Sequence, residues 1–102
     1  MNINNKTSIT RILDTLNEAA RYASEKNRDR KTELAITRLL EIIGREAIHL
    51  TPAFREKHGH IPWQQVISMQ HMEPNAAVWK IVSNDISHLQ EKISEILKLE
   101  GV

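Results

Sequence analysis

Apolar residues recur every three or four positions along most of the chain, which is the spacing of amphipathic helices. The first stripe comprises Ile9, Ile12, Leu13, Leu16, Ala20 and Ala23. It predicts a helix that is capped by Thr7 or Ser8 and ends near Asn27, since a hydroxyl can accept hydrogen bonds from the first free amides of a helix.

A second helix is predicted after Thr32, with Glu33 near the positive end of the helix dipole. Its stripe comprises Ile36, Leu40, Ile43, Ala47 and Leu50, and it is widened by Leu39 and Ile42. Such a wide apolar face predicts burial on two sides, either as a central helix or at a subunit interface.

Shorter helical segments are predicted after the second helix. Thr51-Pro52 is a cap followed by proline at the first helical position, where the missing amide costs nothing. That turn is expected to stop at Gly59, and Ile61-Pro62-Trp63 to start another. A last helix is predicted from about Pro74 to Leu99, because apolar residues there alternate at spacings of four and three: Val78, Val82, Ile86, Leu89, Ile93 and Ile96. The predicted fold is all-α, an antiparallel (up-down) four-helix bundle with one or two short connecting helices, in one domain spanning residues 1–102.

Composition narrows the class of protein. The 102 residues are 40% apolar and 26% charged and include no cysteine, which excludes disulfides, cysteine nucleophiles and thiolate metal sites. No apolar run reaches the roughly 18 residues of a membrane span, and the first six residues are too polar for a signal peptide. A cytoplasmic protein without membrane association is expected.

Charge is nearly balanced, with fourteen Lys and Arg against thirteen Asp and Glu and a formal net charge of +1. The densest basic cluster, Lys26, Arg28, Arg30 and Lys31, is interrupted by Asp29 and is interpreted as a solvated turn between helices. This charge balance neither requires nor excludes binding to nucleic acid.

Candidate chemistry is sparse. The five histidines, His49, His58, His60, His71 and His88, lack metal-ligand spacing and are interpreted as surface residues, so no metal is expected. No phosphate-binding loop or nucleophile elbow occurs, and no cofactor is expected. Gly44, inside the second helix, predicts a close helix crossing. Trp63 and Trp79 are expected to be core anchors.

Several segments together resemble the HepT-like family, helical proteins of the HEPN superfamily. The matching segments are DRKTELA (29–35), LLEIIG (39–44), HLTPAFREKHGHIPW (49–63) and VWKIVSNDISHLQEKI (78–93). The resemblance implies a toxin–antitoxin module in which the HepT-like chain is a homodimeric ribonuclease. It also implies a minimal nucleotidyltransferase (MNT) partner that neutralises the toxin by transferring AMP to a tyrosine.

The family's catalytic motif is an Arg, a following polar residue and a His four to six positions after the Arg, continued by a Tyr. Here Gln70 stands at the position of the Arg and His71 at that of the polar residue, and these two are the candidate site residues. The distal His and the Tyr have no counterpart, so about seven residues are absent by this alignment. No AMP-accepting tyrosine is assigned, because Tyr22, the one tyrosine, belongs to the first helix.

The sequence alone is compatible with three functions. The first is a HepT-like protein with impaired catalysis that dimerises and binds an MNT-type antitoxin. The second is an active ribonuclease whose rearranged site pairs His71 with Arg45 or Arg55. The third is a non-catalytic helical interaction module.

Overall fold

The regular elements of the chain are helical. The computed structural model describes residues 2–24 and 28–100, and this part contains no strand. The elements are α1 (Ile3–Ala23), α2 (Arg30–His49), α3 (Pro52–Lys57), α4 (Trp63–Ser68), a 3-10 turn (Met69–His71), α5 (Ala76–Asn84) and α6 (Ile86–Leu99). The predicted all-α class is confirmed. No helix in the described ranges has the length and apolar content needed to traverse a lipid bilayer.

Helix α2 is the central element. It packs against α1 on one side and against α4, the 3-10 turn and α5 elsewhere. Leu40 and Ile43 are fully buried within the single chain, Leu39 is 9% exposed and Ile42 is half-buried. The central position of α2 within the single chain is therefore sufficient to bury its wide apolar face. A subunit interface is not needed for that burial.

Helix α1 begins earlier than predicted. Asn2 is its N-cap, and the Asn2 side chain accepts a 2.7 Å hydrogen bond from the Asn5 amide. Thr7 and Ser8 lie inside the helix, where the Thr7 hydroxyl donates to the Ile3 carbonyl. The prediction failed because three Asn residues precede the apolar stripe, and any of them can cap. The predicted end near Asn27 lies outside the described residues.

Helix α2 also begins earlier, because Asp29 and not Thr32 is its N-cap. The Asp29 carboxylate accepts a 2.8 Å hydrogen bond from the Thr32 amide. This hydrogen bond is the main reason that the pKa of Asp29 lies below its ordinary value. Thr32 is therefore the donor in this cap.

The proline-marked pieces form as predicted. Thr51 caps α3 by accepting the Phe54 amide at 3.2 Å, and Pro52 occupies the first turn. Helix α3 ends at Lys57, two residues before Gly59, and α4 begins at Trp63. Trp63 is buried in the core, and its indole N–H donates to the His58 carbonyl at 3.0 Å.

The last predicted helix is two helices in the structure. Asn75 caps α5 by accepting the Ala77 amide, so the helix starts two residues after Pro74. The chain then breaks at Asp85 (φ −110°, ψ −30°) before α6 begins. All six residues of the predicted seam are nevertheless buried. Their spacing predicted the buried face correctly and concealed the break, because both helices keep the same face toward the core.

His58 is buried, contrary to its interpretation as a surface residue. Its ring lies 4.6 Å from the Phe54 ring, centroid to centroid, and its Nε2 lies 2.9 Å from Glu100 Oε1. The Lys57 ammonium donates to the same carboxylate oxygen at 2.9 Å. These contacts join the end of α3 to the end of α6, a partner too distant in sequence to be read from local pattern.

Stability should depend on the charge of Glu100 at low pH. Hydrogen bonds from Lys57, and secondarily from His58, lower the pKa of Glu100 from 4.5 to about 2. Because the folded-state pKa is the lower one, this stabilisation is complete above about 4.5 and is lost as pH falls toward about 2. We expect Glu100→Gln to lower the melting temperature at neutral pH, and the difference from wild type to vanish across that window. Glu91→Gln, at an exposed position, is the control; an equal change would contradict the assignment.

Candidate functional site

The segment at the candidate motif position crosses α2 at Gly44. A Cβ atom on Gly44 would lie 2.8 Å from the Ile67 carbonyl oxygen and 3.1 Å from Gln70 Cα, and it would overlap the Gln70 amide nitrogen. The absence of a side chain at Gly44 thus lets the 3-10 turn lie directly on α2. The predicted close crossing is confirmed, and its partner is the main chain of the candidate site.

Gln70 and His71 are neighbours on the 3-10 turn but face different surroundings. Gln70 is half-buried and His71 is exposed. Neither side chain makes a hydrogen bond or an ion pair with another described residue. An uncharged amide and one imidazole can accept or donate hydrogen bonds, but they provide no fixed positive charge.

The two arginines considered as partners for His71 have other surroundings. Arg45 follows Gly44 on α2 and is bound at 2.8 Å by the Glu41 carboxylate, which also binds Arg38 at 2.6 Å. Arg55 lies on α3, and its Nε is buried without a hydrogen-bond partner in the described part of the chain. The structure records no contact of either arginine with His71.

A groove of about 400 Å³ lies on the other side of the 3-10 turn, against α5 and α6. Its apolar lining includes Val66, Met69, Met72, Ile81 and Leu89, and its polar lining includes Asp85, His88 and Lys92. The turn therefore separates the Gly44 crossing from a groove that contains a second exposed histidine, His88.

A small polar pocket of about 400 Å³ joins the start of α1 to the end of α2. Ser8, Arg11 and His49 line it together with Asn4 and Thr7. The Ser8 residue is only 5% exposed. Arg11 is bound at 3.1 Å by Glu46. An arginine and a histidine thus share a pocket, although they are too far apart in the sequence for this proximity to have been predicted.

A metal centre is not evident in the structure. Among residues 2–24 and 28–100, no three His, Asp or Glu side chains converge as metal ligands would. His49, His60, His71 and His88 are exposed, and His58 is occupied by Glu100.

The basic turn before α2 is in contact with Trp79. The Arg28 guanidinium lies 5.2 Å from the centre of the Trp79 ring, and the indole N–H donates to Glu33 at 2.9 Å. Arg30 donates to Glu33 at 2.8 Å and also to the Pro74 carbonyl. Trp79 is half-buried, so it anchors the edge of the core while keeping part of its ring accessible. Lys26 lies outside the described residues.

Comparison with curated proteins identifies the family. The chain is 32% identical over 77 residues to the "Probable ribonuclease HepT" of Thermococcus cleftensis, a match that covers 69% of this chain and 70% of that protein. The chain belongs to the HepT-like family. A "Putative RNase" of Caldanaerobacter subterraneus is 33% identical over 73 residues, which is 65% of each chain.

A longer relative contains the HepT-like unit as a part. The "Gamma-glutamylcyclotransferase and putative RNase" of Methanocaldococcus jannaschii is 29% identical over 105 residues, a match to 91% of this chain and 47% of that protein. The chain thus spans about half the length of that relative. No family model matches the chain, and no solved structure matches it significantly.

Within this HepT-like chain, sequence reasoning located the Gly44 crossing, whereas Gln70 and His71 stay predictions as site residues. It missed the groove residues His88 and Lys92 and the pocket shared by Arg11 and His49. His88 and Lys92 are four residues apart and therefore share a helix face, which was an available signal. Arg11 and His49 had no such signal, because only the packing of α1 on α2 brings them together.

Proposed function

We propose that this HepT-like chain retains the ribonuclease scaffold of its family but does not cleave RNA. The feature that carries the proposal is Gln70, which by its resemblance to the family's motif stands where that motif has an arginine. Cleavage of a phosphodiester needs proton transfer and a positive charge near the phosphate, and histidine with a cation meets both needs. Within residues 2–24 and 28–100, His71 forms no recorded contact with such a cation.

Geometry strengthens this argument. The 3-10 turn is fixed against α2 at Gly44, so the main chain of Gln70 cannot move far without disturbing the crossing. Arg45 is bound by Glu41, and Arg55 extends from a different helix. A misplacement of about 1 Å can cost roughly 100-fold in rate, so a lone exposed histidine is a poor catalyst.

The further properties proposed for the chain follow from its family. We propose an antiparallel four-helix arrangement in which α5 and α6 together form one interrupted helix. We also propose a homodimer in the cytoplasm. The chain would belong to a toxin–antitoxin module with a nucleotidyltransferase antitoxin. Because no tyrosine follows His71, the partner would bind this chain without adding AMP beside the motif. Co-purification with a nucleotidyltransferase encoded beside this chain, together with a chain mass that shows no added AMP, would support the proposed partner. A monomeric mass by light scattering would contradict the proposed homodimer.

A ribonuclease assay on the purified chain tests the loss of activity. We expect RNA cleavage no faster than that of the Gln70→Ala, His71→Ala double variant, because neither side chain provides the missing charge. A known ribonuclease under the same conditions confirms that the substrate can be cut. Cleavage by the wild type that disappears in the double variant would overturn the proposal.

A second candidate function is RNA cleavage at a rearranged site. The pocket shared by Arg11 and His49 favours it, since these groups combine a cation, which stays exposed although Glu46 binds it, with a proton-transfer group. The same assay separates the two functions. Cleavage that survives in the Gln70→Ala, His71→Ala variant but is lost in His49→Gln would support the rearranged site.

A further inference from the structure

A shallow groove of about 600 Å³ lies beside Trp79, where the turn before α2 meets α5. Arg28, Trp79 and Lys80 form its charged and aromatic part, and the remaining lining is small or uncharged: Ala76, Ala77, Ser83 and Asn84. None of the described carboxylates lines it. We call it the Trp79 groove.

The two cations of the Trp79 groove are available to a ligand. Arg28 and Lys80 are exposed, and neither has an ion pair within the described ranges. The nearest acidic residues are already engaged, since Asp29 accepts the Thr32 amide and Glu33 is bound by Arg30. The groove therefore presents two cations that form no ion pair with a described carboxylate, in a chain whose overall charge is almost zero.

Trp79 is held in a fixed orientation. Its indole N–H donates to Glu33 Oε2 at 2.9 Å, and Glu33 is in turn held by Arg30. The Arg28 guanidinium lies over the ring at 5.2 Å from the centroid. Planar guanidinium groups and indole rings both stack on nucleobases. A planar stacking unit flanked by a lysine is the combination that recognises unpaired nucleotides.

We propose that the Trp79 groove binds single-stranded RNA, with a base stacked on the Arg28–Trp79 unit and adjacent phosphates bound by Arg28 and Lys80. The choice of RNA rests on the family relationship behind the proposed function, whereas the binding requires no cleavage. The groove is built from α5 and the turn before α2, not from the 3-10 turn that carries Gln70 and His71. The chain would thus hold RNA at a surface separate from the altered motif.

Fluorescence anisotropy with a labelled oligouridine tests the proposal. We expect Arg28→Gln, Lys80→Gln to weaken binding about tenfold at low salt, and to reduce the slope of log affinity against log salt by about 1.4, which is two phosphate contacts at about 0.7 each. The matched control is Arg21→Gln, Lys98→Gln. It removes the same charge from exposed positions outside the groove and should leave affinity and slope within about twofold of wild type.

A stacked base gives a second, independent signal. Oligouridine should quench part of the tryptophan emission of the wild type, and Trp79→Phe should abolish this quenching while Trp63 stays buried and fluorescent. Circular dichroism checks that each variant is folded.

Three results would overturn the inference: no binding to oligouridine, equal weakening by the control pair, or displacement of the RNA by polyglutamate at equal charge concentration. The last would indicate a surface for acidic protein. These outcomes are distinct from failure of the proposed function, which would be seen as cleavage of the RNA, not as loss of its binding.

Discussion

Gly44→Ala should lower the free energy of unfolding by about 2 kcal/mol, or about 10 °C in melting temperature, despite placing a better helix former in α2. Alanine improves helix propensity by about 1 kcal/mol over glycine. Its methyl group, however, would overlap the Gln70 amide and lie 2.8 Å from the Ile67 carbonyl oxygen. Both are main-chain atoms, which cannot rotate away as a side chain can, so two packed segments must separate.

Gly59→Ala is the matched control, since Gly59 is exposed and a Cβ there would meet its nearest atom, the Glu56 carbonyl oxygen, at 3.2 Å. That substitution should change the free energy of unfolding by only about 0.5 kcal/mol or less. Thermal denaturation followed by circular dichroism measures both variants. If Gly44→Ala were as stable as Gly59→Ala, the close crossing of the 3-10 turn on α2 would be wrong.

Asn5→Ala should also be costly, at about 2–3 kcal/mol, because Asn5 joins α1 to the start of α3. Its Oδ1 accepts the Thr51 amide at 3.0 Å, and its Nδ2 donates to the Thr51 hydroxyl at 3.2 Å. The residue is 4% exposed, so water cannot easily replace the missing partner. The Thr51 hydroxyl also caps α3, and the substitution therefore loosens the α3 cap as well.

Asn4→Ala, one position away and exposed, provides the comparison for Asn5, with an expected change of about 0.5 kcal/mol or less. Urea denaturation gives both free energies. An Asn5→Ala variant as stable as Asn4→Ala would show that the link between α1 and Thr51 contributes little.

Periodicity predicted which faces are buried far better than where helices begin and end. The apolar seam from Val78 to Ile96 is buried throughout, yet the break at Asp85 was missed, because a short interruption leaves the seam in phase. The first turn of α1 was missed for a related reason. Asn2 and Ile3 precede the apolar stripe, and a helix start that is mostly polar leaves no periodic signal.

The candidate site was predictable only where it depends on local sequence. Gly44 was recognisable as a close contact, because glycine inside a helix is costly without one. Its partner at Gln70 lies 26 positions further on, and no local pattern connects them. The buried state of His58 and the pocket of Arg11 and His49 likewise depend on long-range packing, which composition and spacing do not determine.

The crossing at Gly44 also affects which positions of such a chain can be substituted during evolution. The three atoms that a Cβ on Gly44 would meet first are main-chain atoms of Ile67 and Gln70, so this contact does not depend on the side chain at position 70. The requirement for glycine at position 44 and the choice of side chain at position 70 can therefore vary separately, because this contact does not use the side chain of residue 70.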